Sequence, residues 1–210
     1  MAFDASQWMT PSGDYEIDNS LRFNDGDSAN LSFTPDSAGN RRTWTFSAWV
    51  KRGNLGTFAL FGSYTASNAR DVLRFDTNDG LSLQVVTSGG NVQRDTVAVF
   101  RDPSAWYHIV CVWNTTSGTA SERTKIYVNG VSQDFTNSTH AGQNVDSTTN
   151  NAGIHLVGAR STGSPAQFLD GYMAEVNFID GQALTPSDFG ETGDYGEWKP
   201  IRYSGSYGTN

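Results

Sequence analysis

The residues that could do chemistry in this 210-residue chain are few and scattered. Glu16 and Asp18 stand two apart, which on an extended strand puts both carboxylates on one face. Two carboxyl groups close together are what a retaining glycosidase uses as nucleophile and acid. Glu175 sits alone in an apolar run, where a carboxylate more often serves as a hydrogen-bonding residue. His108, His140 and His155 lack the spacing of metal ligands. His108 lies beside Trp106 in an apolar stretch and reads as a packed histidine. Cys111 lies in the same stretch and reads as a buried, inert thiol. No Gly-x-Ser-x-Gly elbow and no phosphate-cradling glycine loop is present. Binding chemistry is better represented. Asp76, Asn78 and Asp79 form the best oxygen cluster for calcium, although the same residues are ordinary hairpin-turn formers. Asp25 and Asp27 around Gly26 raise the same question. Tyr64, Asn78 and Arg160 are candidates for stacking on a sugar and bonding its hydroxyls, while Trp49 and Trp113 are explained equally well by core packing.

Strands must position these residues, because period-two alternation recurs and no long helical pattern does. Trp44, Phe46, Ala48 and Val50 alternate with Thr45, Ser47, Trp49 and Lys51, predicting a half-buried strand. Phe58, Leu60 and Gly62 alternate with Ala59, Phe61 and Ser63. Residues 71–76 and 81–87 predict a hairpin, closed by Thr77-Asn78-Asp79-Gly80. Residues 105–113 are apolar on both faces, which predicts a central strand covered on each side. Lys125 to Val128 leads into Asn129-Gly130, a strong hairpin signal. Residues 132–151 read as an exposed loop. Ile154–Val157 and Phe168–Ile179 are the last clear strands, and Thr185-Pro186-Ser187-Asp188 predicts one capped helical turn. Twenty-two glycines against six prolines suit many tight turns.

The net charge of −8 argues against a nucleic-acid partner. One cysteine leaves no internal disulfide. The first residues show no basic segment followed by an apolar run, so no secretory signal is expected. No apolar stretch approaches the ~18 residues of a membrane span.

Several segments in order resemble the laminin G-like branch of the concanavalin A-like lectin/glucanase superfamily. They are Asn19-Ser20-Leu21-Arg22-Phe23 with Asn30-Leu31-Ser32-Phe33, then Trp44 to Lys51, Trp106 to Trp113 with Lys125 to Gly130, and Leu169 to Val176 with Leu184-Thr185-Pro186. The resemblance implies an all-β, two-sheet antiparallel jelly-roll sandwich over residues 19–190, with an N-terminal arm at 1–18 and a Gly/Tyr-rich tail at 191–210. Hydrolases of that superfamily carry Glu-x-Asp-x-x-Glu on one strand. Here Leu21 replaces the second glutamate, so no enzyme is expected, and a glycoside hydrolase-like domain is the weakest reading. Calcium is common in related domains, but no full ligand set is matched.

The wording of Trp49-Val50-Lys51-Arg52-Gly53 and of Asn177 to Leu184 is also similar to domains of tailed-phage virion proteins. That similarity implies a non-enzymatic virion protein, a head decoration or a tail or fibre module, made in the host cytoplasm. Its expected partners are other virion proteins, through Trp8, Met9 and Tyr15, further copies of itself, and host surface glycans. A glycan-binding adhesin is the alternative.

Overall fold

The computed structural model describes residues 15–87, 90–137 and 139–208. Among them, the strands run in chain order from β1 (Leu21–Phe23), β2 (Leu31–Phe33), β3 (Thr43–Arg52) and β4 (Phe58–Ala66) to β5 (Ala69–Phe75), β6 (Gly80–Thr87), β7 (Gly90–Val99) and β8 (Tyr107–Asn114). There follow β9 (Thr124–Val128), β10 (Val131–Ser132), β11 (Ile154–Val157), β12 (Arg160–Ser161) and β13 (Pro165–Ala166). The last are β14 (Gly171–Asp180), β15 (Gly190–Thr192) and β16 (Trp198–Pro200). A first six-stranded sheet has the order β1-β14-β3-β8-β9-β10 and a second the order β2-β11-β4-β5-β6-β7. Every pairing is antiparallel, and β12–β13 and β15–β16 are small separate hairpins. The expected two-sheet sandwich is therefore the fold. No helix of the described residues is long and apolar enough to cross a membrane.

The core lies between the sheets. Trp44, Phe46, Ala48 and Val50 of β3 and Ile109, Cys111 and Trp113 of β8 face Leu73, Phe75, Leu81, Leu83 and Val85 of the second sheet. Burying each of the large side chains contributes roughly 1.5–3 kcal/mol. Trp44 stacks on Trp113 at 6.4 Å and Phe46 on Phe61 at 5.1 Å.

The other side of β8 is closed as well. Val110 and Val112 pack with Ile179 of β14 and with Phe189, Leu184 and Tyr203 from the C-terminal segment. The capped turn at Pro186–Asp188 forms as expected, with the Asp188 carboxylate accepting from Thr185 N–H at 2.8 Å. Beyond it the chain does not extend away but lies back across the first sheet. Trp198 is the anchor of that segment. Its ring stacks on His108 at 5.9 Å, and its Nε1–H donates to His108 Nδ1 at 2.9 Å. Gly130 and Gly190 make room for it: a Cβ on either would come within 2.6 Å of the indole. Gly130 also takes φ 80° in the Asn129-Gly130 turn, so one residue serves both the hairpin and the indole.

Three sequence expectations change here. The outer face of β3 was expected to be solvent-exposed, but Thr45, Ser47 and Trp49 are buried. Thr45 bonds Gln182 and Leu184, and Ser47 and Trp49 hold His108. In β4 a bulge between Ala59 and Phe61 breaks the alternation. It lets both Leu60 and Phe61 reach the core and turns Gly62 and Tyr64 to the outer face. The stretch 132–151 is irregular but not wholly exposed. Ser147, Thr149 and Asn150 are buried with hydrogen-bond partners, and Thr148 is buried between them. Trp44 Nε1–H donates to Ser147 Oγ at 2.9 Å, and Thr149 N–H to Asp71 at 2.6 Å. Strand β7 has no apolar alternation of its own, since polar Arg94 and Thr96 fill its buried positions.

Two buried groups set opposing pH dependences. Burial depresses His108 from 6.5 to about 4. Between those values the unfolded chain takes up the proton and the folded chain does not, so acid lowers stability by about 3 kcal/mol. Burial raises Asp71 from 3.8 to about 6, against the opposing Thr149 hydrogen bonds. There the folded chain takes up the proton first, so acid restores stability. Asp71→Asn removes the second effect and keeps an oxygen for Thr149. Urea unfolding from pH 6.5 to pH 4 should show the variant losing stability more steeply than the native chain. Parallel curves would refute the assignment.

Candidate functional site

The outer face of the second sheet is where the sequence-derived sugar contacts converge. Strand register places Tyr64, Arg70, Val86 and Asn91 in one row across β4, β5, β6 and β7. Gly62, Val72, Gln84 and Gln93 form the next row, and Ala59, Arg74, Ser82 and Asp95 a third. Side chains two apart on a strand share a face, so Leu73 and Phe75 facing inward oblige Arg70, Val72 and Arg74 to face out.

The β12–β13 hairpin lies over β4 and makes a wall beside this floor. Gly62 permits it: a Cβ there would stand 2.9 Å from the Cα of Arg160. The backbone thus rests directly on the sheet. The turn of the hairpin at Gly163 reaches Tyr64, whose hydroxyl oxygen lies 3.5 Å from where a Gly163 Cβ would be. Of the expected sugar contacts, the structure therefore brings Tyr64 and Arg160 together, with Arg70, Arg74, Gln84 and Gln93 beside them. Burial lowers the Arg160 pKa, and the neighbouring Arg74 and Arg70 lower it further. The sequence reading missed Arg70 and Arg74. The signal for them was the inward assignment of Leu73 and Phe75, which leaves alternate residues outside.

Asn78 is not part of this face. It lies in the β5–β6 turn, where its N–H donates to Asp76 Oδ1 at 2.8 Å. Asp76 Oδ1 also accepts from Gly80 N–H at 3.2 Å. Asp79 is answered by two arginines: Arg52 on Oδ1 at 2.9 Å and Arg101 on Oδ2 at 3.1 Å. The three residues proposed for calcium therefore do not fit it. Asp76 serves the turn, and two guanidiniums occupy the Asp79 oxygens where a dication would have to sit. At Asp25 and Asp27, the Asp27 carboxylate is taken by Asn24 at 2.6 Å. Among the described residues no group of three or more His, Cys, Asp or Glu side chains could hold a metal.

A second concavity, a cleft of about 280 Å³, lies on the first sheet between Ile17, Asp18, Asn19, Ser20, Trp49, Trp106, Ala174 and Pro200. Next to it β14 bulges between Ala174 and Asn177, and Glu175 takes φ 47°. The Glu175 carboxylate accepts from the Tyr15 hydroxyl at 2.7 Å, which raises the Tyr15 pKa. Arg202 lies over the Tyr15 ring at 5.4 Å. Tyr15, expected to contact a partner, thus meets Glu175 and Arg202 of its own chain. Trp8 and Met9 lie outside the described residues. Cys111 is buried and its pKa is pushed up by burial, as its apolar neighbours implied.

The Arg52–Asp79 pair gives a direct test of the turn. Arg52 is fully buried, so Asp79→Ala leaves a buried guanidinium without its carboxylate. Such a loss costs about 3 kcal/mol, to be read from denaturant melts. Millimolar calcium should leave the melting temperature of the native chain unchanged. A rise with calcium that Asp79→Ala abolishes would place a cation at the turn after all.

Known proteins share this architecture. Among curated proteins nothing matches. Of solved structures, the heptameric SAP-like pentraxin of Limulus polyphemus is similar over 74% of this chain and 71% of its own, at TM-score 0.54 and 19% identity. The CBM40 domain of a Ruminococcus gnavus IT-sialidase, solved with α2,3-sialyllactose, is similar over 76% and 95%, at TM-score 0.51 and 12% identity. Tailspike protein 2 of bacteriophage CBA120 is similar over 82% of this chain but 26% of its own, at TM-score 0.57 and 12% identity. The family model Laminin G 3, of the concanavalin A-like lectin/glucanases superfamily, matches residues 25–188. By that match and by its two packed six-stranded sheets, the chain belongs to the concanavalin A-like lectin/glucanases superfamily, in its laminin G-type branch.

Proposed function

We propose that this domain is a non-enzymatic glycan-binding module carried on a phage virion, as a head decoration or part of a tail or fibre. The observation that carries the glycan part is the outer face of the second sheet, where Tyr64 and Arg160 stand together over a floor bearing Gln84 and Gln93. An aromatic ring offers a stacking surface, and amide and guanidinium groups offer bonds to hydroxyls. A domain of this fold can hold a saccharide, since the Ruminococcus domain was solved with α2,3-sialyllactose bound. The non-enzymatic part is supported by the state of the titratable groups: Glu175 is held by Tyr15, and His108 and Cys111 are buried. The virion part is supported by the phage-like wording around Trp49 and Asn177 and by the likeness to a phage tailspike. Residues 1–18, with Trp8 and Met9, would anchor the domain to other virion proteins or to further copies of itself.

An array of bacterial surface glycans, probed with the purified chain, tests the glycan part. Binding should fall at least tenfold in Tyr64→Ala while the circular dichroism spectrum is unchanged. Silence across the array, or release of reducing ends that depends on Glu175, would sink this reading. For the virion part, deletion of residues 1–18 should leave a folded sandwich that no longer enters particles. Normal incorporation of the deleted chain would remove the anchoring role.

A further inference from the structure

The same face carries positive charge that no carboxylate among the described residues pairs with. Arg70 and Arg74 project from β5 on one side, and β12 carries Arg160 to them over Gly62. Among the described residues Arg74 and Arg160 make no hydrogen bond and no ion pair, and Arg70 reaches only the Ser67 carbonyl. Elsewhere most arginines are answered, Arg94 and Arg123 by backbone carbonyls and others by carboxylates. Arg22 meets Asp170, Arg41 and Arg42 meet Asp146, and Arg52 and Arg101 meet Asp79. The one carboxylate of these rows, Asp95, stands two strands from Arg74 and accepts from Gln93 at 2.8 Å, so it pairs with none of the three guanidiniums.

The arrangement is also costly as it stands. Like charges repel, and partial burial strengthens the repulsion by removing water between them. The Nε–H of each of the three arginines is buried without a partner. So is Ser82 Oγ, which lies level with Arg74 on the neighbouring strand. Two buried acceptors also lack a partner, Gln167 Oε1 at the end of the β12–β13 hairpin and Asp95 Oδ1 in the row of Arg74, and these call for a ligand hydroxyl and not for an anion. Buried polar atoms are nearly always satisfied, so a cluster of exceptions on an open face points to something that binds there. Guanidinium presents its donors as a planar fork, which matches the paired oxygens of a carboxylate or a sulfate. A bound anion would remove the repulsion and supply acceptors to the orphaned donors at once.

We infer that Arg70, Arg74 and Arg160 form an anion subsite for the carboxylate or sulfate group of an acidic saccharide, with Tyr64, Gln84 and Gln93 placed for its hydroxyls. This inference rests on the glycan-binding reading above and adds the charge of the ligand to it.

Calorimetric titration of the full chain with matched pairs tests it. One pair is trigalacturonic acid and its methyl ester, in which a methyl group on each carboxyl removes the charge. The other is a heparin-derived tetrasaccharide and its desulfated form. At least one acidic member should bind tenfold or more tightly than its matched form, and which pair responds tells carboxylate from sulfate. The preference should weaken between 50 and 300 mM salt. It should vanish in the double variant Arg74→Gln, Arg160→Gln, whose melting temperature stays level or rises because the repulsion is gone. Retention of tight, charge-dependent binding in that folded double variant would overturn the subsite. Equal binding of acidic and neutral members would overturn it too, while leaving the glycan-binding reading in place. Silence of all four ligands together with silence of the glycan array would remove both. Stronger binding of a thymidine oligonucleotide than of any saccharide would overturn the saccharide assignment.

Discussion

A strand that is apolar on both faces must be covered on both faces, and β8 imposes that condition on the whole molecule. Ile109, Cys111 and Trp113 need the second sheet; Val110 and Val112 need something else. The two-sheet sandwich supplies the first cover and leaves the other face of the first sheet to be closed by the chain itself. Phe189, Leu184 and Tyr203 close it, and Trp198 locks them down through His108. The lock fixes a tautomer as well. With Trp198 Nε1–H donating to Nδ1, the proton of a neutral His108 sits on Nε2, where Ser47 Oγ can accept it at 2.9 Å. A protonated ring would place a donor against the indole N–H. The depressed pKa and the packing are thus one fact seen twice.

Closing one face decides where binding can occur. The first sheet, covered by residues 182–207, carries the cleft beside Trp106, bounded by residues 17–20. Among the described residues the second sheet has no such cover over β5 and β6, and its outer rows carry Arg70, Arg74 and Gln84 half-exposed. Gly62 then lets β12 lie on β4, bringing Arg160 from a distant part of the chain. The polar segment 147–150 ties the sheets together from within, through Trp44, Ser63, Asp71 and His155. A buried polar network of this kind fixes the relative placement of the sheets more sharply than apolar contacts do, because a displaced hydrogen bond leaves an orphan.

The sequence made the sandwich legible because its signals are local. Alternation from Trp44 to Val50 and from Leu81 to Val85, turn residues at Asn78-Asp79-Gly80, and Asn129-Gly130 each act over a few residues. Even the need to cover β8 could be read from its two apolar faces, though not that Trp198 would do it. What stayed hidden depended on distant partners. The stretch from Ser147 to Asn150 reads as solvent-facing until Asp71 and Trp44 are known to meet it. The bulge in β4 reverses which face Gly62 and Tyr64 occupy, and nothing in that strand's own residues announces it. Tyr64 and Arg160 were found by residue type; their proximity is a property of the hairpin crossing at Gly62.

The charge distribution gives the open face its character. A chain of net charge −8 repels anions at long range, so a local cluster of arginines does not draw in polyanions indiscriminately. Its influence is confined to roughly a Debye length, about 8 Å at physiological salt. A ligand must already be seated on the sheet before it meets the guanidiniums. Seating depends on shape and hydroxyl bonding, through Tyr64 and the glutamine rows, and the charge then discriminates among ligands that fit. That order favours a compact saccharide with one or a few anionic groups over a long, densely charged polymer. A dense polyanion would meet a chain of net negative charge along most of its length and gain from the arginines only at one point. The same net charge that keeps such polymers away is what makes three arginines without a carboxylate partner selective.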